Sequence, residues 1–324
     1  MSRLAALDLG SNSFHLLVAD TRPRGRIKRV KTRKLTNRLG EPVARTGKLG
    51  KDAFKRAATA FDDLMEIVED EGAEQVVAVA TEALRVAEDG DAFRKEMRKR
   101  HGVPIQLLDG RDEAALSLKG IVSAMNLADD AEVLMMDLGG GSLEIALGGT
   151  GGMAAGVSLP LGGGKLVDHV SDPPRLHEQA ALHRHCMELI QPAAEEILAQ
   201  RRYPDERLVT YGTAGTIRDL GRLGLKMIGG AVPEKVRGML VSRDQLELAY
   251  AHLCSMDAHA RMDIEGISAK RADLLPGAGV AVLATMQALD LPAITLCDWG
   301  LREGVLLDVV AGCHIVDPKV VTDR

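Results

Sequence analysis

Two segments of the chain share one pattern of hydrophobic and polar positions. Residues 4–13 and 133–142 each begin with an apolar run, reach an aspartate and turn through glycine to a serine. A second apolar run follows each turn, at 14–19 and 143–147. Apolar runs of this length that are bounded by turn residues predict buried strands, so each segment is predicted to be a β-hairpin with a polar tip.

The tips of both hairpins carry groups that suit a phosphate ligand. Glycine allows a tight turn in which several backbone N–H groups point at one place, and the serine hydroxyls add further donors. Asp8 and Asp137 lie where the first strand of each hairpin ends, and Glu144 lies in the second strand of the second hairpin. Carboxylates at these positions are candidate Mg²⁺ ligands. Two alternatives stay open, because Asp8 can instead cap its own turn and Glu144 can be an ordinary strand residue.

Helical and strand patterns alternate along the rest of the chain. The spacing of apolar residues predicts helices at 52–71, 91–101, 111–125, 174–200, 242–254, 270–289 and 301–310. Short apolar runs predict strands at 76–80, 105–108, 153–159, 207–211 and 293–297. A hairpin followed by helices and strands occurs twice, which predicts a duplicated α/β unit with a boundary at 126–132.

Four of the predicted strands end in small polar residues. Two of these ends are the hairpin tips, and the others are the segments 81–85 and 212–216, the second of which is Gly-Thr-Ala-Gly-Thr. Because ligands of α/β folds bind at the carboxyl ends of strands, we expect the four ends to line one cleft between the two halves. Two hairpin tips that face each other are expected to hold a phosphate chain from both sides.

The bulk composition is typical of a globular protein with two domains. At 324 residues the chain exceeds the usual size of a single core, and 46% of its residues are hydrophobic. No apolar run approaches the roughly 20 residues that span a bilayer, and the first residues lead directly into a strand, so we expect a cytoplasmic protein without membrane contact. The cysteines are far apart and form no CxxC pair, which favours reduced core thiols over a zinc site; they are Cys186, Cys254, Cys297 and Cys313.

The charge of the chain is uneven. Its net charge is −5, yet residues 22–38 contain nine arginines and lysines and no acid. A surface that binds a polyanion is one interpretation of this segment, and a hairpin edge protected by its charge is the other. Nucleic acid is the less suitable polyanion, because only 2% of all residues are aromatic and bases have few side chains on which to stack.

Two further positions are candidates for phosphate chemistry. Arg85 follows a strand end, where its guanidinium can clamp a phosphate with two hydrogen bonds or form an ordinary surface ion pair. Asp112 and Glu113 lie at the start of a predicted helix, where they complement the helix dipole or supply a general base. Transfer of a phosphoryl group to water needs a carboxylate that orients and deprotonates the water, so a base is the chemically sharper interpretation.

Motifs along nearly the whole chain resemble those of the exopolyphosphatase/guanosine pentaphosphatase (Ppx/GppA) family. In chain order they are Asp8-Leu9-Gly10-Ser11-Asn12-Ser13-Phe14-His15, Thr81-Glu82-Ala83-Leu84-Arg85, Asp112-Glu113-Ala114, Asp137-Leu138-Gly139-Gly140-Gly141-Ser142-Leu143-Glu144, Gly212-Thr213-Ala214-Gly215-Thr216, Arg271-Ala272-Asp273-Leu274-Leu275-Pro276-Gly277 and Gly300-Leu301-Arg302-Glu303-Gly304. The resemblance implies an α/β architecture with the actin-like ATPase (ASKHA) fold. Its two RNase H-like domains, with a cleft between them, are expected at 1–125 with 300–324 and at 126–299.

The resemblance also implies an activity and the residues that carry it. Proteins of this family release the terminal phosphate of inorganic polyphosphate or of guanosine pentaphosphate, with a divalent cation such as Mg²⁺ near the carboxylates. Glu113 matches the position of the catalytic base, and Arg271 looks like a residue that reaches the substrate from the second domain. The candidate metal ligands are Asp137, Glu144 and Asp8. The candidate phosphate-binding residues are Ser11, Asn12, Ser13, Arg85, Gly139, Gly140, Gly141, Ser142, Gly212, Thr213 and Arg271.

Inorganic polyphosphate is the expected substrate, and residues 22–38 are expected to guide the rest of its chain. Guanosine penta- or tetraphosphate is the alternative ligand, and an ATP-dependent kinase or a phosphate sensor on the same fold are the alternatives of another class. Longer family members carry a C-terminal region resembling an HD domain, and we expect this short form to lack the contacts which that region supplies. A homodimer is the expectation for the oligomeric state.

Overall fold

Each predicted hairpin begins a six-stranded sheet, and each sheet belongs to its own compact unit. The computed structural model describes residues 2–125, 127–202, 208–312, 315–316 and 319–320. Unit 1 comprises Met1–Ser123 and Trp299–Arg324, and unit 2 comprises Ala124–Asp298.

The predicted helices and strands are present with bounds close to those expected, and further elements lie between them. The strands are β1 (Arg3–Leu9), β2 (Ser13–Arg22), β3 (Arg26–Thr36), β4 (Gln75–Ala80), β5 (Ile105–Leu107), β6 (Glu132–Leu138), β7 (Leu143–Gly149), β8 (Gly152–Leu159), β9 (Leu208–Thr213), β10 (Leu240–Ser242), β11 (Ala293–Leu296) and β12 (Lys319–Val320). The helices are α1 (Gly40–Thr46), α2 (Gly50–Asp70), α3 (Glu82–Val86), α4 (Gly90–His101), α5 (Gly110–Met125), α6 (Gly163–Leu166), α7 (Leu176–Leu198), α8 (Ala214–Gly229), α9 (Arg243–Cys254), α10 (Ala258–Met262), α11 (Leu275–Ala288) and α12 (Leu301–Ala311).

The same strand order is built twice. In unit 1, β1, β2 and β3 form an antiparallel meander, and β4 lies parallel to β1 on the opposite side from β2. In unit 2, β6, β7 and β8 form the same meander, and β9 lies parallel to β6. A further parallel strand extends each sheet, with β5 beside β4 and β11 beside β9. This repeat is the duplicated α/β unit that the sequence predicts.

Burial of the apolar runs fixes the register of each hairpin. Phe14, Leu16 and Val18 alternate along β2, are fully buried and share one core cluster with Phe61 of α2. A slip of one residue would turn this set to the other face of the sheet, where about 1.5–3 kcal/mol per large apolar side chain would be lost. The polar residues at the strand ends are therefore held at defined positions.

The basic segment forms the edge of the sheet in unit 1. Strand β3 carries most of the cations of residues 22–38, and it is the terminal strand of the meander. The three-residue turn before it has Arg24 and Gly25 at φ of 64° and 66°, in the left-handed region that tight hairpin turns use. The interpretation as a charged hairpin edge is correct, and it does not by itself exclude a polyanion.

Two features of the second half differ from the predicted pattern. The helix predicted at 270–289 begins later, at Leu275, because Pro276 has no N–H to donate and fits the first turn of a helix; Ala269–Arg271 form a separate 3₁₀ turn. Helix α8 follows directly after β9 and was not predicted, since its glycines interrupt the apolar pattern. The start of the strand predicted at 207–211 lies outside the described residues.

The cysteine prediction holds where the structure describes it. Cys186 and Cys297 are buried, Cys254 is half-buried, and no disulfide joins cysteines within the described residues; Cys313 lies outside them. Burial raises the pKa of the Cys186 thiol to about 12. Over the described ranges, no helix has the length and apolar character needed to cross a bilayer.

Candidate active site

The tip of the second hairpin presents backbone donors. The N–H of Gly139 donates to the Ser142 carbonyl at 2.9 Å and closes the turn. The N–H groups of Gly140 and Gly141 donate to no acceptor within the described part of the chain. Successive amides in a glycine turn form a concave site for an anion, which is the chemistry that the sequence predicts for residues 139–142.

A second glycine segment braces this turn from behind. Gly162, Gly163 and Gly164 donate their N–H groups to the carbonyls of Gly141, Gly139 and Gly140 at 3.2, 3.0 and 2.8 Å. The close approach requires glycine, because a Cβ on Gly162 would lie 2.2 Å from the carbonyl carbon of Gly141. The brace occupies the carbonyls of the turn and leaves its amides for a ligand. Sequence reasoning missed this segment, although its three consecutive glycines were a visible signal.

The tip of the first hairpin is built in the same way. Gly10 donates its N–H to the Ser13 carbonyl at 3.2 Å, and Gly40 donates to the Ser11 carbonyl at 2.8 Å. The Asn12 carbonyl accepts from the N–H groups of Asn37 and Arg38, at 3.1 and 3.0 Å. The N–H groups of Ser11 and Asn12 have no acceptor among the residues that the structure describes. Both predicted phosphate turns thus have their carbonyls occupied by a segment that follows the hairpin.

The predicted metal ligands of unit 2 lie in one row of cross-strand neighbours. Glu144 on β7 is directly opposite Asp137 on β6, and the next neighbours are Thr213 on β9 and Ser158 on β8. Glu144 is almost fully buried, and its Oε1 accepts a hydrogen bond from the Ser158 hydroxyl at 2.7 Å. Opposed residues of an antiparallel pair point to one face, so the two carboxylates are neighbours.

The same row in unit 1 has a different chemistry. Asp8 on β1 is opposite His15 on β2, and His15 is opposite Lys34 on β3. His15 therefore takes the place that Glu144 has in unit 2, since each follows its aspartate by seven positions. A histidine thus stands where unit 2 has its second carboxylate, which makes Asp8 a weaker candidate for a cation than Asp137.

The donor set of unit 2 fits a Mg²⁺ ion. Magnesium commonly binds to one or two protein carboxylates and completes its octahedron with water and substrate phosphate oxygens. Asp137 and Glu144 supply two carboxylates on one face. The described residues contain no group of three or more His, Cys, Asp and Glu side chains that would form a complete protein cage. The site thus fits an ion that is shared with a phosphate.

The predicted base lies in the first turn of α5, in unit 1. The carboxylate of Asp109 caps this helix, because its Oδ1 accepts the N–H groups of Arg111 and Asp112 at 2.9 and 2.8 Å. Glu113 is buried, with 9% of its surface exposed. Burial and the neighbouring charge of Asp109 raise the pKa of Asp112. Asp109, which sequence reasoning did not single out, therefore fixes the start of the helix that carries Glu113.

Arg85 contacts the strand end just before that helix. It lies on α3, and its Nη1 donates a hydrogen bond to the Leu108 carbonyl. Leu108 directly precedes Asp109, so this contact brings the Arg85 guanidinium to the segment that leads to Glu113. The contact shown for the Arg85 guanidinium is thus with a backbone carbonyl, and its role as a phosphate clamp stays a prediction.

The strand end at 212–216 forms a sharp junction between β9 and α8. Ala214 has a φ of 73°, a left-handed conformation that is strained for a residue with a Cβ. The Arg218 Nε donates to the Ala214 carbonyl at 3.1 Å. Gly212 pairs with Met136 and Thr213 with Asp137 across the parallel ladder, which brings both predicted residues beside the carboxylate row.

Arg271 lies against the same junction and is held by a buried acid. Its Nε and Nη2 both donate to Oδ2 of Asp219, at 2.9 and 2.7 Å, and Asp219 is only 1% exposed. A Cβ on Gly215 would lie 2.7 Å from the Arg271 guanidinium, so the guanidinium packs on the glycine of the turn. Asp219 was missed because it is 52 residues from its partner.

Comparison with known proteins agrees with this architecture. The chain matches the Ppx/GppA phosphatase family over residues 17–312. It is 32% identical over 312 residues to Exopolyphosphatase 1 of Mycobacterium tuberculosis, an alignment that covers 94% of this chain and 87% of the relative.

Two solved structures are similar across nearly their whole length. An exopolyphosphatase from Cytophaga hutchinsonii has a TM-score of 0.86 and 26% identity, with 96% of this chain and 99% of that chain covered. A Ppx/GppA family member from Aquifex aeolicus has a TM-score of 0.78 and 23% identity, with 96% of this chain and 98% of that chain covered. This similarity shows the shared fold. The α/β fold is the actin-like ATPase fold, and the chain belongs to the Ppx/GppA phosphatase family.

Proposed function

We propose that this protein is an exopolyphosphatase, which hydrolyses the terminal phosphate of inorganic polyphosphate and releases orthophosphate. The observation that carries the proposal is the glycine turn at 139–142, whose amides are available beside the opposed carboxylates of Asp137 and Glu144. The relatives named exopolyphosphatase, at 32% and 26% identity, support polyphosphate as the substrate.

In this proposal the glycine turns bind phosphate oxygens. The N–H groups of Gly140 and Gly141 donate to the oxygens of one phosphate, with Ser142 and Thr213 as further donors. Ser11, Asn12 and Ser13 contribute the equivalent turn of unit 1. Fixed amides need no reorganisation as negative charge shifts during the reaction, which lowers the barrier.

Glu113 is the proposed general base. Its carboxylate orients a water molecule and accepts a proton from it as the water oxygen bonds to phosphorus. The bond between that phosphorus and the bridging oxygen breaks, and the shortened chain keeps the electron pair of that oxygen. Orthophosphate is released, and the proton on Glu113 returns to solvent.

Asp137 and Glu144 are the proposed residues that hold Mg²⁺, with Ser158 fixing the Glu144 carboxylate. A bound Mg²⁺ supplies positive charge that offsets the charge of the phosphates. Asp8 is left out of this set, because His15 and Lys34 occupy the neighbouring positions of its row. Arg85 and Arg271 are proposed to contact the phosphate chain as cations.

Guanosine pentaphosphate 5′-phosphohydrolysis is the second candidate, because the sequence motifs resemble a family that is expected to carry both activities. An ATP-dependent kinase or a sensor is the candidate from another class. A homodimer and a cytoplasmic location remain predictions from the sequence.

One assay separates these candidates. Phosphate release is measured from long-chain polyphosphate, tripolyphosphate, guanosine pentaphosphate and ATP, each with Mg²⁺ and with excess chelator. We expect the highest kcat/KM on polyphosphate and loss of activity with chelator. A higher kcat/KM on guanosine pentaphosphate, or turnover of ATP alone, contradicts the proposal.

A further inference from the structure

One face of the edge strand β3 carries a row of cations. The cross-strand neighbours on β2 show which residues share this face, because Lys31 is opposite Val18 and Arg33 is opposite Leu16. Both β2 residues belong to the core cluster under α2, so the row runs along the exposed margin of that core. We call this row the cationic strip; its members are Arg26, Lys28, Lys31 and Arg33, and all four are exposed.

The strip has few acidic neighbours. Lys31 lies 3.8 Å from Glu71, at the end of α2. Asp20 lies opposite Lys28, but its carboxylate is engaged by Arg3 at 2.8 Å, a contact that lowers the pKa of Asp20. Arg26, Lys28 and Arg33 form no ion pair with any residue in the described ranges. The strip therefore presents positive charge to solvent.

The opposite face of the same strand shows what a structural arginine looks like here. Arg29 forms an ion pair at 2.8 Å with Glu303, which is 1% exposed, and its guanidinium lies 5.4 Å from the ring centroid of Trp299. That arginine anchors β3 to the C-terminal part of unit 1. The strip residues have no comparable contacts, so packing does not explain their charge.

Protection of the sheet edge does not explain the number of cations. One or a few charged side chains, lysine above all, keep an exposed edge from pairing with another strand. Residues 22–38 contain nine cations and no acid, which is more than that purpose needs. A uniform sign along a strand is complementary to a polyanion.

The strip leads to the phosphate turn of the same unit. A strand rises about 3.3 Å per residue, so Arg33 lies about 10 Å along β3 from Thr36, whose side chain is on the opposite face of the strand. Thr36 is opposite Ser13, whose hydroxyl donates to the Thr36 hydroxyl at 3.4 Å. The N–H of Asn37 then donates to the Asn12 carbonyl in the turn itself. The strand that carries the cationic strip therefore ends in contact with the turn.

Asn37, which directly follows the last residue of β3, adds a polar group near the Arg33 end of the strip. Its side chain is 5% exposed, and neither its Nδ2 nor its Oδ1 forms a hydrogen bond with the residues that the structure describes. A buried amide without a partner destabilises a fold unless water or a ligand satisfies it. Arg56 of α2 donates to the Asn37 carbonyl at 3.4 Å and adds a further cation at this point.

We propose that the cationic strip binds internal phosphates of a polyphosphate chain. These phosphates are several phosphate units away from the terminal phosphate that is hydrolysed. The inference rests on the proposed function, and it assigns to unit 1 a subsite that only long chains reach. A polyphosphate suits the strip better than a nucleic acid, because the strip contains no aromatic side chain on which a base can stack.

The test removes three charges and compares two substrates. The variant is Arg26→Gln/Lys28→Gln/Arg33→Gln, and the matched control is Lys51→Gln/Arg98→Gln/Lys99→Gln, which removes three exposed cations elsewhere in unit 1. We expect the KM for long-chain polyphosphate to rise about tenfold in the strip variant, while its KM for tripolyphosphate stays within about twofold. The control should leave both KM values unchanged.

Binding gives a readout that does not depend on turnover. The Kd of long-chain polyphosphate is measured by calorimetry at several salt concentrations. The slope of log Kd against log salt concentration should be shallower by about 2 in the strip variant than in the wild type. If the wild-type protein fails to hydrolyse polyphosphate, the proposed function fails, and the binding comparison still tests the strip.

Equal long-chain KM, Kd and salt slope in the strip variant and the control would overturn the inference. The reversed variant Arg26→Glu/Lys28→Glu/Arg33→Glu keeps the edge charged and guards against association of neutralised edges. It should raise the long-chain KM further than the glutamine variant, and a KM equal to that of the wild type contradicts a binding role.

Discussion

Replacement of Gly162 by alanine tests the brace behind the phosphate turn. Gly162 has φ of −67° and ψ of 149°, which any L residue adopts, so the backbone conformation itself tolerates alanine. The added Cβ would lie 2.2 Å from the Gly141 carbonyl carbon and 2.4 Å from the nitrogens of Gly141 and Ser142. Ordinary contact begins at 3.4 Å. The turn or the brace must therefore move by about 1 Å.

A displacement of this size changes the direction of the Gly140 and Gly141 amides. Misplacement of a catalytic group by about 1 Å can reduce the rate about 100-fold, and overpacking costs about 1–3 kcal/mol of stability. We expect Gly162→Ala to lower kcat/KM for tripolyphosphate about 100-fold, measured by phosphate release at a temperature well below unfolding.

The matched control is Gly151→Ala, in the turn between β7 and β8. A Cβ there meets no atom within 4 Å, and Gly151 is exposed. This variant should keep wild-type activity. If Gly162→Ala is as active as Gly151→Ala, the brace does not position the amides that bind phosphate, and the reasoning is refuted.

Contacts of Asp219, Ser158 and Cys186 can each be tested by one measurement. Asp219→Asn removes the charge of the carboxylate that accepts two hydrogen bonds from Arg271. This variant should lower the free energy of unfolding, measured by urea titration, by about 2 kcal/mol. An unchanged urea midpoint contradicts a stabilising role of this pair. Ser158→Ala removes the hydrogen bond to Glu144 and should raise the Mg²⁺ concentration for half-maximal activity about tenfold, whereas a wild-type Mg²⁺ titration argues against Glu144 as a ligand. Burial raises the pKa of Cys186 to about 12, so iodoacetamide at pH 8.5 should modify this thiol only after the protein unfolds. Modification is followed by mass spectrometry, and equal rates in native and unfolded protein would disprove the protection of this thiol.

The hairpins and their polar tips could be predicted because side chains carry the signal. Long apolar runs, glycine and a strand-end aspartate specify the strands of residues 4–19 and 133–147 without help from distant contacts. The asymmetry between His15 and Glu144 was also present in the sequence, since each follows an aspartate by seven positions. Aligning the two hairpins residue by residue would have revealed it.

The braces and the Arg271 contact could not be predicted, for a different reason. Gly162 meets Gly141 through backbone atoms, and no side-chain pattern marks which peptide groups will bond across 21 residues. The left-handed φ of Ala214 is likewise set by tertiary structure, because propensity alone would place glycine there. Charged residues are abundant in unit 2, so the pairing of Asp219 with Arg271 follows only from the fold.

Glu113→Gln tests the central claim most directly, with Asp112→Asn as the neighbouring carboxylate control. Phosphate release from tripolyphosphate and the Kd of tripolyphosphate are measured for both variants under the same conditions. We predict that Glu113→Gln lowers kcat by at least about 100-fold with Kd within about threefold of the wild type, because glutamine keeps the shape of the side chain and cannot accept the proton of water. Asp112→Asn should retain most of the activity. Near-normal turnover by Glu113→Gln would contradict general-base catalysis by Glu113.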